Sequence, residues 1–168
     1  MKINSPAFEE NQLIPKIYSC DGENINPPLE ISQVPSNAHS LALIMTDPDA
    51  PNGTFTHWLL WNIPPQTHEI LENSYPSDAI QGINSAGQIG YRSPCPPNGM
   101  HRYSFKLYAL NRKLDVTQDI SREELEANNS LTEAELRDRI PVVESEVIER
   151  YQDIIKAIDG IILERQKE

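Results

Sequence analysis

The distribution of proline is the feature of this sequence that most restricts its fold. Thirteen of the fourteen prolines lie in residues 1–97, and Pro141 is the only one in the last 71 residues. Because proline lacks a backbone N–H, it interrupts helices and the hydrogen-bond ladders of sheets. The proline-rich part is therefore predicted to form short strands joined by turns, whereas the proline-poor part can form helix.

Charge limits the classes of partner. The 168 residues include 14 Lys and Arg against 25 Asp and Glu, a net charge of −11. Polyphosphate repels a chain this acidic, so we expect no nucleic-acid partner. No apolar run approaches the roughly 18 residues of a membrane helix, and the first residues lack the pattern of a secretion signal. The sequence predicts a soluble, cytoplasmic protein without integral membrane association.

Cys20 and Cys95 are the two cysteines of the chain. Two thiols are too few for a disulfide framework or for a zinc site built on thiolates. They can pair only if folding brings them together, and in a cytoplasmic protein we expect them to stay reduced. The sequence also lacks a Gly-rich phosphate loop and a His-Glu-x-x-His motif, so no cofactor is expected.

Three segments have the spacing of strands. Residues 41–45 form an apolar run that stops at Asp47-Pro48. Residues 57–63 are predicted to place four side chains on one face, namely His57, Leu59, Trp61 and Ile63. Residues 101–110 are predicted to place five on one face, namely His101, Tyr103, Phe105, Leu107 and Ala109. Short strands separated by proline and Asn-Gly turns favour a sandwich or a barrel.

The last part of the chain has the pattern of helix. Ser121 with Glu124 and Thr132 with Glu135 both fit the capping-box spacing that begins a helix. Apolar residues then recur at steps of three or four, at Leu136, Ile140, Val143, Val147, Tyr151, Ile154, Ile158 and Ile161. This stripe either packs on its own domain or joins two copies in a homodimer.

Four polar residues mark a candidate site. Asp47 ends the first predicted strand and His57 begins the second, so antiparallel pairing would place them side by side. His101 and Tyr103 open the third strand. Inward polar groups ahead of an apolar row are typical of the mouth of a pocket. Two imidazoles, a carboxylate and a phenol suit a phosphate or carboxylate ligand, and they equally suit a divalent metal.

Two motifs that contain these residues resemble a known family. The first is TDPDAP at residues 46–51, followed by His57-Trp58. The second runs from Gly90-Tyr91 through CPP at residues 95–97 to HRY at residues 101–103. Together they resemble the bacterial branch of the phosphatidylethanolamine-binding, or Raf-kinase-inhibitor-like, proteins over residues 4–115. The segment 119–152 looks like an addition to the family pattern.

The resemblance implies a fold and a site. The fold is mainly β, a sandwich of two antiparallel sheets with peripheral helices and a C-terminal helical segment. Residues 1–168 then form one domain, with its core in 1–115 and a helical extension in 116–168. The ligand-binding residues that the resemblance implies are Asp47, His57, Cys95, Pro96, His101 and Tyr103, and Asp49 braces the loop.

The resemblance also implies a function. We expect a non-enzymatic protein that holds a phosphate-bearing or other small anionic ligand and modulates a kinase or protease. The alternative is a metal-dependent or acid/base hydrolase that uses the same residues.

Overall fold

A computed structural model describes residues 1–128 and 143–147 of the chain. A short 3-10 helix spans Lys16–Tyr18, and helix α1 spans Arg122–Asn128. The strands are β1 (Lys2–Asn4), β2 (Leu29–Ser32), β3 (Ser40–Asp47), β4 (Phe55–Ile63), β5 (Glu69–Ile70), β6 (Ile80–Gln81), β7 (Tyr103–Leu110) and β8 (Val143–Val147). The three predicted strands correspond to β3, β4 and β7, with ends that differ by at most two residues.

The strands form two sheets. A three-stranded sheet has the order β1-β2-β5, and a five-stranded sheet has the order β6-β4-β3-β7-β8. All of these pairings are antiparallel. The prediction of a mainly β protein with two antiparallel sheets is therefore confirmed. Within the described residues, no helix has the length and apolar content that crossing a bilayer requires.

The main core lies between the sheets. The small sheet contributes Ile3, Leu29, Ile31 and Ile70, and the large sheet contributes Leu41, Leu43, Met45, Trp58, Leu60, Phe105 and Leu107. All eight residues of β3 are buried, because the large sheet is covered on both faces. This double cover explains why β3 is a continuous apolar run rather than an alternating one.

The segment after β7 covers the outer face of the large sheet. A second cluster joins Ala42, Ile44, Leu59 and Trp61 of that face to Leu114, Ile120 and Leu125. Helix α1 begins with the predicted capping box. The Ser121 N–H donates to Oε2 of Glu124 at 2.9 Å, and the Glu124 N–H donates to Oγ of Ser121 at 3.1 Å. The prediction that Ser121 and Glu124 begin a helix is therefore confirmed, and Leu125 of that helix packs on the large sheet.

Residues 143–147 correct the predicted helical stripe. They form β8, which pairs antiparallel with β7 from Leu107↔Val143 to Tyr103↔Val147. Val143 and Val147 fit a helical step of four, but they fit the period of two of a strand equally well, and β-branched residues favour strands. The rest of the stripe and the second capping box lie outside the described residues, so the homodimer through this tail stays a prediction.

The predicted face of the second strand is also wrong in part. Leu59 and Trp61 point to the outer cluster, whereas Ile63 belongs to the inner core. The register shifts between Leu41↔Ile63 and Leu43↔Leu60, so β4 has an extra residue there. Asn62 takes a positive φ of 57° at this bulge. A bulge of one residue reverses the side-chain alternation beyond it.

Cys20 and Cys95 form a disulfide, with their Cα atoms 5.2 Å apart. The expectation that both thiols are reduced is therefore wrong for this structure. The two residues are 75 positions apart in sequence. Spacing alone gives no sign of pairing across such a distance, and the fold brings the two loops together.

Candidate functional site

Asp47 and His101 form the centre of the site. Strand β3 ends at Asp47, and His101 lies two residues before β7, which pairs antiparallel with β3. Nδ1 of His101 lies 2.7 Å from Oδ2 of Asp47, and both side chains are less than a tenth exposed. Oδ1 of Asp47 accepts the N–H of Asp49 at 2.9 Å. The sequence predicted that Asp47 would lie beside His57, but its direct partner is His101.

A bulge in β4 turns His57 toward the same site. Met45 pairs with Trp58 and Thr46 pairs with Thr56, so His57 is the extra residue between them. Its ring meets the ring of Tyr103 edge to face, with centroids 5.3 Å apart. Bulges commonly redirect a side chain in this way. The prediction that His57 shares the site with Tyr103 is thus correct in position, although regular alternation would have placed its ring on the outer face.

The ring of His57 is held by the backbone of Arg92. Nδ1 of His57 lies 2.7 Å from the Arg92 carbonyl oxygen, and the Arg92 N–H donates to the carbonyl of His57 at 2.9 Å. Burial lowers the pKa of His57 below its usual 6.5, and the hydrogen bond to Arg92 opposes part of that shift. His101 is close enough that its charge also lowers the pKa of His57.

These contacts fix where the ring protons lie. A carbonyl oxygen and an ionised carboxylate can only accept, so Nδ1 donates in both His57 and His101. Nε2 is then the nitrogen through which each ring can meet a ligand. The hydrogen bond at Nδ1 thus fixes the orientation of each imidazole, so that Nε2 faces the ligand position.

Asp49 braces the loop after β3. Arg102 donates through Nη2 to Oδ1 of Asp49 at 2.6 Å and through Nε to Oδ2 at 2.9 Å. The Arg102 N–H also donates to Oδ2 at 2.8 Å. The hydrogen bond from the Arg102 side chain holds the pKa of Asp49 at about 2, below its usual 3.8. The role that the resemblance implied for Asp49 agrees with this geometry.

Cys95 and Pro96 lie farther along the loop that holds His57. Cys95 is exposed and bonded to Cys20, and Pro96 is half-buried. The structure places both residues on the loop that reaches His57 through Arg92, and their predicted part in ligand binding stays a prediction. Sequence reasoning missed Arg92, since a residue that acts through its backbone leaves no side-chain signal.

The described residues contain no group of three or more His, Cys, Asp and Glu side chains arranged to hold a metal ion. Asp47 already uses one oxygen for His101 and the other for the Asp49 N–H. The arrangement offers two oriented imidazoles and the phenol of Tyr103, a set that can bind an anion.

Comparison with known proteins places these features in one family. The sequence profile described as phosphatidylethanolamine-binding protein matches residues 4–140. This match extends well past residue 115. Most of the segment 119–152, which looked like an addition to the family pattern, therefore lies inside the region that the profile matches. The chain is 48% identical over 130 residues to a UPF0098 protein of Methanothermobacter thermautotrophicus, which covers 74% of this chain and 86% of that protein. It is 49% identical over 135 residues to a UPF0098 protein of Pyrococcus horikoshii, covering 75% and 67%.

Solved structures agree with the sequence matches. A Chlamydia trachomatis homolog of phosphatidylethanolamine-binding protein superposes with a TM-score of 0.78 at 38% identity, over 86% of this chain and 93% of that one. E. coli YbcL, described as a member of the mammalian family, gives a TM-score of 0.77 at 27% identity, over 88% and 97%. Profile, relatives and fold agree, and the chain belongs to the phosphatidylethanolamine-binding protein family.

Proposed function

We propose that this protein binds a phosphate-type anion through His57, His101 and Tyr103 and catalyses no reaction on it. The observation that carries the proposal is the pair of Nδ1 anchors. Each imidazole is buried and tied to a protein oxygen, at 2.7 Å in both cases. Oriented rings lose little freedom when an anion binds, which favours affinity.

Charge favours an anion over a neutral ligand. A protonated imidazole donates through Nε2, and a charge-assisted hydrogen bond is about twice as strong as a neutral one. The Asp47 carboxylate compensates the positive charge of a protonated His101 ring, so the site can hold that charge while buried. The same carboxylate keeps the ring in one orientation.

The shared chemistry of the ligand is a phosphate group, whether free, on a headgroup or on a protein. A protein-borne phosphate would let the site modulate a kinase or protease by occupying its phosphorylated form. Three probes separate these sources: inorganic phosphate, phosphoethanolamine and a phosphoserine peptide. Tighter binding of the peptide than of inorganic phosphate would support a protein target.

The test uses the histidines as NMR reporters. Titration of inorganic phosphate should shift the ring signals of His57 and His101 together to saturation, while the exposed His39 and His68 stay unchanged. His101→Ala should weaken phosphate binding at least tenfold, because it removes one oriented donor, or about 1.4 kcal/mol. His68→Ala is the matched control and should bind normally.

Two results would count against the proposal. Undiminished binding by a folded His101→Ala protein would place the ligand elsewhere. Turnover of a generic phosphomonoester, with or without added Zn²⁺ or Mn²⁺, would favour the hydrolase instead.

A further inference from the structure

The loop that holds His57 is tied to a second loop at four points. We call residues 91–95 the pocket loop and residues 18–24 the anchor segment. Tyr91 Oη donates to the Tyr18 carbonyl at 3.1 Å, and the Cys20 N–H donates to the Pro94 carbonyl at 2.9 Å. The two remaining ties are the hydrogen bond from the Ser93 N–H to Asn24 Oδ1 at 2.8 Å and the Cys20–Cys95 disulfide.

The pocket loop reaches the site through one residue. The Arg92 N–H donates to the carbonyl oxygen of His57, and the Arg92 carbonyl oxygen accepts from Nδ1 of the His57 ring. Cys95 lies three residues beyond Arg92. Among the described residues, the disulfide is the only covalent bond between the pocket loop and the anchor segment. It lies three residues along the chain from the carbonyl that orients the His57 ring.

Solvent reaches the disulfide but not the histidine. Cys20 and Cys95 are both exposed, whereas His57 is 4% exposed. Exposed disulfides are the ones that thiols attack most readily, and they are often regulatory. A reductant could therefore act on this bond without entering the site.

We infer that the Cys20–Cys95 disulfide is a redox control on anion binding, in which the oxidised form holds the Arg92 carbonyl in place for His57. This inference rests on the proposed function. A dithiol reductant attacks one sulfur to form a mixed disulfide, and its second thiol then releases the protein. Two electrons and two protons pass to the protein, which gains two thiols while the reductant gains one disulfide.

Reduction leaves three hydrogen bonds between the pocket loop and the anchor segment, besides the two that join Arg92 to His57. The loop then occupies the binding position for a smaller fraction of the time. The apparent affinity for phosphate falls in proportion to that fraction. If the fraction falls to about a tenth, phosphate binds roughly tenfold more weakly.

The test compares inorganic phosphate binding by the oxidised protein and by the protein reduced with dithiothreitol, read from the His57 ring signal. We expect roughly tenfold weaker binding after reduction. The double variant Cys20→Ser/Cys95→Ser should bind like the reduced protein and should not respond to dithiothreitol. Equal affinity within twofold in the two redox states would overturn the inference and leave the proposed function intact. Failure of the oxidised protein to bind phosphate would overturn the proposed function itself.

A second variant keeps the disulfide, in case the reduced protein unfolds. Asn24→Gly removes the acceptor of the Ser93 N–H and tolerates the positive φ of 54° at that position. It should weaken phosphate binding roughly two- to threefold with the bond intact, because a looser loop is in position less often. Unchanged binding by a folded Asn24→Gly protein would show that loop position does not control the site, and the inference would fail.

Discussion

His57 and His101 differ in what holds them. A carbonyl oxygen orients His57, and a carboxylate orients His101. The carbonyl contributes no full negative charge, so burial dominates at His57 and lowers its pKa. The charge of Asp47 already opposes part of this shift, and an anion bound at Nε2 would add a second negative charge and raise the pKa of His57 further. Binding of an anion and of a proton at His57 should therefore be coupled.

This coupling predicts a pH dependence. Sulfate is the suitable probe, because it stays doubly charged between pH 5 and 8 while phosphate titrates. Sulfate affinity should rise as the pH falls from 8 toward the lowered pKa of free His57, by up to about tenfold per pH unit for one coupled proton.

The same pKa shift has the opposite effect on the unliganded protein. Stability from the neutral His57 ring is present above pH 6.5 and is lost as the pH falls through the lowered pKa. Calorimetric titration of sulfate at several pH values checks the coupling, and the slope should be smaller in His57→Gln than in the unsubstituted protein. A flat profile in the unsubstituted protein would mean that sulfate binds without a proton at His57.

At the scale of the elements, β4 carries two bulges with different roles. The one at His57 supplies a ring to the site, and the one at Asn62 holds the chain beyond β7. The Asn62 side chain donates to the Leu114 carbonyl at 2.9 Å and accepts the Leu114 N–H at 2.7 Å. One amide thus anchors the segment that covers the outer face of the large sheet.

Asn62→Ala should lower the free energy of unfolding by roughly 2–4 kcal/mol, because it leaves two buried backbone groups of Leu114 without their partner. It also places alanine at a positive φ, which costs about 1 kcal/mol. Asn62→Gly loses the same hydrogen bonds without that backbone cost, so it should be the less destabilised of the two.

Urea unfolding of both variants measures the difference. A loss below about 0.5 kcal/mol in both would mean that water replaces the amide and that Asn62 does not anchor the segment.

The same strand shows how far the sequence predicts this fold. Apolar runs and prolines located β3, β4 and β7, and the order of the polar residues located Asp47, His57 and His101. The bulges could not be predicted, because an extra residue in a strand depends on its pairing with a neighbour. The strand at Val143–Val147 was missed for a related reason, since its spacing fits both helix and strand until an open sheet edge is known.

At the scale of the whole molecule, the Cys20–Cys95 bond closes a loop of 75 residues that contains five of the eight described strands. The expectation of reduced thiols followed from the prediction of a cytoplasmic protein, and composition does not report the redox environment of a protein. Disulfides persist in oxidising compartments and inside hyperthermophilic cells. The disulfide therefore restricts the conformations of the unfolded chain, and composition gave no indication of this restriction.

Removal of that constraint should cost stability. Cys20→Ser/Cys95→Ser should lose about 4.5 kcal/mol, the chain-entropy value for a loop of this length. At a slope of about 2 kcal/mol per molar urea, the unfolding midpoint should fall by roughly 2 M. Dithiothreitol should shift the midpoint of the unsubstituted protein by a similar amount. An unchanged midpoint in both experiments would show that the bond does not stabilise the fold.

The position of β8 at the end of the large sheet matters while the protein is being made. The ribosome completes β7 before it reaches β8, and at about 5–20 residues per second the roughly 30 residues between them take some two to six seconds. During that interval the nascent chain presents one uncovered backbone edge of β7, which any extended polypeptide can pair with. Until β8 has been made, an extended strand of another chain can therefore take the position next to β7 that β8 occupies in the folded protein.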